Sequence, residues 1–210
     1  EAAFQERAAP GGLTVVTDAS GVDGVGGYAL DPAKPGEATL VSELWPADVL
    51  AALQRQALRA SERERDPDAA LGRLSMPAAE AFGQWAVAEA YAAAAGRQPT
   101  SVTAVGDCDP AAAALNAGAS GRPQMRKLVR GARELCAHWL AVSVSRDLNV
   151  DADRLSHPAQ LAEVRADAQA AGVATRVAPI PQHCWAALRE AIAVEAETRR
   201  APRKRRAAGE

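Results

Sequence analysis

The sequence predicts an α/β fold: a mixed five-stranded sheet that opens with an antiparallel β-meander and carries helices on both faces, plus a C-terminal helical extension. Three observations predict it. Residues 13–45 hold three short runs of β-branched and small apolar residues, divided by glycine and proline turns. Two later apolar runs are each reached through helical patterns, as right-handed crossovers onto one sheet require. Much of the 48% apolar content is alanine, with only two Phe and two Tyr, so the helices must pack by close approach of small side chains.

The elements follow in order. Residues 1–12 are a polar lead stopped by Pro10-Gly11-Gly12. LTVVTDAS (Leu13–Ser20) begins short, apolar and β-branched, and reads as a buried first strand that ends on Asp18. SGVDGVGG turns the chain into GVGGYAL, the second strand of a hairpin. The four glycines from Gly21 to Gly27 lack the GK[ST] or GxGxxG context of a phosphate loop. EATLVSELW (residues 37–45) is a third strand, stopped by Pro46. Val49, Leu50, Leu53 and Ala57 then fall at helical spacing, and the charged SERERDPD behind them makes 46–74 an inserted helix and linker.

Pro77 opens the clearest helix of the front half, which runs to Gly96 with Glu80 in its first turn. SVTAVGD (residues 101–107) is the fourth strand and ends on Asp107; DPAAAALNAG is a short helix. Met125, Leu128, Val129, Ala132, Leu135, Cys136 and Trp139 mark one side of a long helix, and LAVSVS (residues 140–145) is the fifth strand. RDLNVDADRLSHP turns out of it into a short helical stretch stopped by Pro158. A helix over 159–171, the extended GVATRVAPIP and a last helix with Trp185, Leu188, Ile192 and Val194 complete the ordered chain.

Composition narrows the function classes. A 24% charged content argues against wholesale disorder, and 210 residues suffice for one domain with a real core. The net charge of −2 hides an asymmetry, because RRAPRKRR (residues 199–206) holds six basic residues and no acid while the body is acidic. A tail such as 199–210 reads either as a solvated, disordered terminus or as a grip on a polyanion or a nuclear-import signal, which gives a cytoplasmic or nuclear location as the expectation. Three scattered cysteines make no disulfide framework, and Cys136, His138, His183 and Cys184 have no zinc-site spacing. No run is long enough to span a membrane. The abrupt start at Glu1 suits a piece cut from something longer.

The chemistry lies in the acids. Asp18 and Asp107 each end an apolar strand; if those strands are parallel neighbours, both side chains emerge at the sheet edge where α/β proteins place their sites. Glu80 comes from the helix that leads into the strand of Asp107, and Asp153 follows the last strand by a few residues. Taken singly, a strand-terminal Asp is a turn or capping residue, and a Glu in a first helical turn complements the helix dipole. Together, four carboxylates repel at neutral pH unless cations compensate them, and an all-oxygen set selects Mg²⁺ or Mn²⁺ over zinc. Two such ions about 4 Å apart suit phosphoryl transfer.

At these residues the sequence resembles the ribonuclease H domain attached to reverse transcriptases of retroelements. TDAS with GVGGYAL resembles that family's opening hairpin and first metal-binding aspartate, Asp18. SMPAAEAFGQWAVAEA resembles its glutamate helix, with Glu80, and VGDCDPAAAAL the step carrying its second aspartate, Asp107. NVDADRLSHP is similar to the closing signature, with Asn149 as an orienting residue and Asp153 as the last ligand.

The likeness spans roughly residues 12–160, leaving 161–198 as a C-terminal extension packed on the domain. It implies an RNase H-like fold, two Mg²⁺ or Mn²⁺ ions, and two-metal hydrolysis of the RNA strand of an RNA–DNA hybrid, with Ser20, Gly21, Cys108 and Asn149 contacting substrate. It also implies a polymerase domain in the same polyprotein as partner, and a monomer when isolated. SRDLN stands where cellular members carry a glycine–histidine loop, and His157 is the nearest histidine to the proposed ligands. Arg122, Arg126, Lys127 and Arg130 are either a grip on the hybrid or a solvated helix face. The competing expectations are a non-catalytic connection domain and a DNA nuclease or transposase of the same fold.

Overall fold

The computed structural model describes residues 12–58 and 72–200, which form an α/β fold with one six-stranded mixed sheet and seven α-helices. The strands are β1 (Leu13–Ala19), β2 (Gly24–Leu30), β3 (Glu37–Leu44), β4 (Ser101–Gly106), β5 (His138–Ser143) and β6 (Ala174–Val177), in the order β5-β4-β1-β2-β3-β6. β2 is antiparallel to β1 and β3, while β1·β4, β4·β5 and β3·β6 are parallel. The meander is therefore as the sequence predicts, but the count of five strands is corrected to six. β6 pairs with β3 from Glu37↔Ala174 to Leu40↔Val177. It comes from the segment after residue 160, and its four residues, ATRV, are too few and too polar to carry an alternating apolar signal.

The helices are α1 (Ala47–Ala57), α2 (Met76–Ala95), α3 (Asp109–Ala117), α4 (Pro123–Leu135), α5 (Val150–Leu155), α6 (Leu161–Ala170) and α7 (Gln182–Arg200). α2 is the central one. Fourteen of its twenty residues are buried, so it is covered on nearly every side, which its alanines permit by letting neighbours approach closely. Gly131 on α4 shows how close: a Cβ there would stand 2.8 Å from the Trp85 ring. α2 begins at Met76, with Pro77 in its first turn, and ends on the left-handed Gly96. That start corrects the placement of Glu80, which opens the second turn and not the first.

α7 belongs to the same core. Its Trp185 meets Phe82 at 5.0 Å and Trp45 at 6.0 Å between ring centroids, and Leu188 is fully buried. These few large aromatics fill what the alanines leave open. Trp139 also contributes to this core, but from β5. The long helix ends at Leu135, with Cys136 already extended, so the 3.6-residue spacing through Trp139 was a coincidence of two elements facing one core.

The opposite face of the sheet is covered more thinly by α5 and α6, through Ala152, Leu155 and Val164 on Val16, Val105 and Leu40. Gly26 makes this possible: a Cβ on it would lie 2.1 Å from the backbone of Leu155, so only glycine lets α5 settle on β2. At the outer strand β5, the side chain of Asn116 closes a backbone position: its Nδ2 donates to the Ala141 carbonyl and its Oδ1 accepts from the Ala141 N–H, each at 2.7 Å.

The polar lead, the linker over 59–71 and the tail from 201 lie outside the described residues. The chain on either side of that linker meets again, since Leu74 N–H donates to Ala52 O at 3.0 Å and Arg55 Nε–H to Gly72 O at 2.8 Å. Among the described residues no helix is long and apolar enough to cross a membrane.

Candidate metal centre

The site forms where the chain reverses across the sheet. From β1 it runs to β2 and β3 on one side, then returns through α2 to β4 on the other. The parallel ladder between β1 and β4 stops at Val16↔Val105, and beyond it the two strands part. Such a reversal leaves a crevice outside the carboxyl ends of the strands, where ligands of open α/β sheets bind. Asp18 stands near the end of β1, Asp107 directly after β4, and Glu80 on α2 above the gap.

The three carboxylates are brought together: one oxygen from each of Asp18, Glu80 and Asp107 lies within 4.8 Å of the other two. Asp18 and Glu80 are buried, at 3% and 5% exposure, and the Asp107 side chain is 15% exposed. Asp153, on α5, is not part of this trio, but it lines the same cleft of about 640 Å³ and acts on Asp18 electrostatically. The expected set of four is therefore three in mutual reach with a fourth facing them.

α5 is held to the sheet by two ties: Asn149 Nδ2 donates to Thr17 O at 3.0 Å, and Ser42 Oγ–H donates to Leu155 O at 2.6 Å. At its end Ser156 Oγ–H folds back onto Asp153 O at 2.8 Å. Asn149, expected at the substrate, is 1% exposed and is not among the residues that line the cleft. It reaches the Thr17 carbonyl that the parting strands leave free, and thereby positions the helix of Asp153. Ser20, Gly21 and Cys108 do line the cleft. The Ser20 hydroxyl accepts from Val22 and Asp23 N–H at 3.3 and 3.2 Å, which shapes the hairpin turn, while Trp45 Nε1–H donates to Ser20 O at 2.7 Å from below. Burial raises the pKa of the Cys108 thiol, so it is no ready nucleophile.

The electrostatics favour a cation. Burial pushes the Glu80 carboxyl well above its ordinary pKa, and the charges of Asp18 and Asp107 add to this. Burial likewise raises Asp18, with Asp107 and Asp153 adding to it, against the lowering influence of the nearby Ser156 hydroxyl and Arg146. Glu80 Oε2 is buried with no hydrogen-bond partner. A buried acceptor left in that state is costly unless something of opposite charge occupies the space before it. Three oxygen donors without nitrogen or sulfur form a set that can hold a hard metal ion.

Two further residues of the cleft, Arg146 and His157, carry little signal in the sequence. Arg146, on the 3₁₀ turn Arg146–Leu148 after β5, donates from Nε to Asp107 Oδ2 at 3.3 Å. The signal was available, because β5 is parallel to β4 and its carboxyl end faces the same edge; Arg146 is to β5 roughly what Asp107 is to β4. His157 also lines the cleft, and its Nδ1 is paired with Asp23 on the hairpin turn, a partner 134 residues away. No local pattern announces that pair. The basic residues of α4 are partly engaged within the chain: Lys127 pairs with Glu190, and Arg126 Nε–H reaches Ser120 O at 3.3 Å.

Comparison with protein-family models, with curated proteins and with solved structures finds no match for this chain.

Proposed function

We propose that this chain is an RNase H-like, divalent-metal-dependent endonuclease that hydrolyses the RNA strand of an RNA–DNA hybrid, as one part of a retroelement reverse transcriptase. The observation that carries the proposal is the convergence of Asp18, Glu80 and Asp107 in one crevice with Asp153 facing them. The resemblance of TDAS and NVDADRLS to that family's ligand-bearing segments supplies the substrate class, which the crevice alone does not.

The residues have distinct tasks under this reading. Asp18, Glu80 and Asp107 would hold the inner cations, and Asp153 would complete the set from the opposite wall. Asn149 and Ser42 keep α5, and with it Asp153, at a fixed distance from β1 and β3. Ser20 and Trp45 fix the hairpin turn, so that Gly21 presents open backbone at the cleft mouth. Two Mg²⁺ or Mn²⁺ ions, when bound, supply a lowered pKa for the attacking water and neutralise charge on the phosphate and the leaving 3′ oxygen. Contacts to successive 2′-hydroxyls in the wide minor groove distinguish RNA from DNA.

The test is cleavage of an end-labelled hybrid in Mg²⁺ or Mn²⁺, beside double-stranded and single-stranded DNA and RNA, with the unaltered chain and Asp18→Asn. Metal-dependent cutting of the RNA strand that Asp18→Asn abolishes supports the proposal. Cutting of DNA alone would move the chain to a DNA nuclease of similar fold, and no cutting in either metal would leave a non-catalytic module.

A further inference from the structure

We infer that Arg146 is a movable cation of this site: it closes the bare carboxylates by pairing with Asp107, and it turns to a backbone phosphate of the substrate once metal ions take its place. The inference rests on the metal-centre reading above. Its basis is the charge balance and geometry of the cleft.

Among the described residues, Arg146 is the only lysine or arginine lining the cleft. Its positive charge acts on Asp107, Asp18 and Asp153, and it lowers the pKa of Glu80 as well, so it is the positive group facing the whole cluster. Yet its hold is slight. One contact is made, Nε to Asp107 Oδ2 at 3.3 Å, and the side chain is 78% exposed. An exposed ion pair with a single long contact is of the weak, displaceable kind.

The contrast with its base is marked. The 3₁₀ turn is anchored, with Val144 N–H on Gly106 O at 2.8 Å and Asn149 N–H on Arg146 O at 2.9 Å. The backbone of Arg146 is thus fixed beside Asp107 while its guanidinium is free to swing. Divalent ions among the carboxylates would repel the guanidinium and reclaim Asp107 Oδ2. A nucleic-acid phosphate entering the cleft would then come within its swing, and a guanidinium can grip it with two parallel hydrogen bonds.

Opposite signs for metal and substrate follow, which a merely structural role for Arg146 would not give. Arg146→Gln should bind Mn²⁺ about two- to fivefold more tightly by calorimetry, since a competing charge has gone. The same variant should bind the hybrid more weakly in Ca²⁺, by a similar factor, with the slope of log affinity against log salt reduced by about 1. Arg146→Lys keeps the charge and should bind Mn²⁺ as the unaltered chain does. In the unaltered chain the Arg146 Nε–H resonance should shift on adding Mg²⁺, a readout that needs no variant. Unchanged or weaker Mn²⁺ binding by Arg146→Gln, unchanged hybrid affinity, or an unmoved resonance in Mg²⁺-loaded protein would each overturn the inference while leaving the metal centre standing. Failure of the unaltered chain to bind Mn²⁺ at all would remove both.

Discussion

Replacing Glu80 by Gln should stabilise the metal-free protein and reverse sign when metal is present. Glu80 is 5% exposed, its Oε2 has no partner, and two further carboxylates lie within reach. Burying an unsatisfied acceptor costs about 1–3 kcal/mol. The glutamine has the same shape, no charge, and an NH₂ that can donate to Asp18 or Asp107. A gain of about 2 kcal/mol at pH 7.5 in EDTA corresponds to a rise in Tm of about 4–8 °C for a chain of this size.

The gain must depend on pH. The folded pKa values of Asp18 and Glu80 are raised, so both states hold these protons below the ordinary carboxylate range, and stability is intact there. As pH climbs from about 4 through the raised values, the unfolded chain releases protons that the folded one retains, and stability falls. Glu80→Gln removes its share of that fall, so the two proteins should melt alike in acid and diverge toward neutrality. Saturating Mg²⁺ should then stabilise the parent by about 2.7 kcal/mol at one hundred times Kd and the variant by much less. Urea unfolding at several pH values, with EDTA or Mg²⁺, reads all of this. A loss of stability in EDTA at every pH, or a gain that does not vary with pH, would refute the reasoning.

Three other predictions concern the site and its support. Asp107→Asn should abolish metal-dependent cleavage while leaving Tm unchanged or higher, because it relieves repulsion among the acids; unfolding would instead make Asp107 structural. Gly26→Ala should cost about 1–3 kcal/mol, because its Cβ meets the Leu155 backbone, and cleavage should fall with it as α5 lifts Asp153 away; an unaffected melting curve would mean that α5 is not seated on β2. Trp185→Ala should cost about 3–5 kcal/mol by urea unfolding, showing that the C-terminal helix carries the aromatic core; a change below 1 kcal/mol would deny it that role.

Most of the sheet and the inner acids were legible because their signals are local. β1 and β4 are short apolar runs that stop on an acid, and a helix with a glutamate near its start joins them. What was not legible depends on contacts distant in sequence. β6 becomes a strand only because β3 offers it an edge, and Asn149 turns inward only because β1 and β4 part and free the Thr17 carbonyl. Trp139 shows the converse failure, where a true helical period ran past the helix end into β5. Arg146 and the Asp23–His157 pair are polar residues in turns, where no period exists to read.

The double hydrogen bond of Asn116 to Ala141 has a consequence for assembly. A side-chain amide there mimics a neighbouring strand at the middle of the outermost ladder, so an incoming peptide finds that margin already taken. The opposite margin is the four-residue β6, long enough to register only a brief partner. Growth of this sheet by a guest strand, whether from a neighbouring module or a second copy, is thereby steered away from the β5 side, and trading Asn116 for a hydrophobic residue would remove that guard.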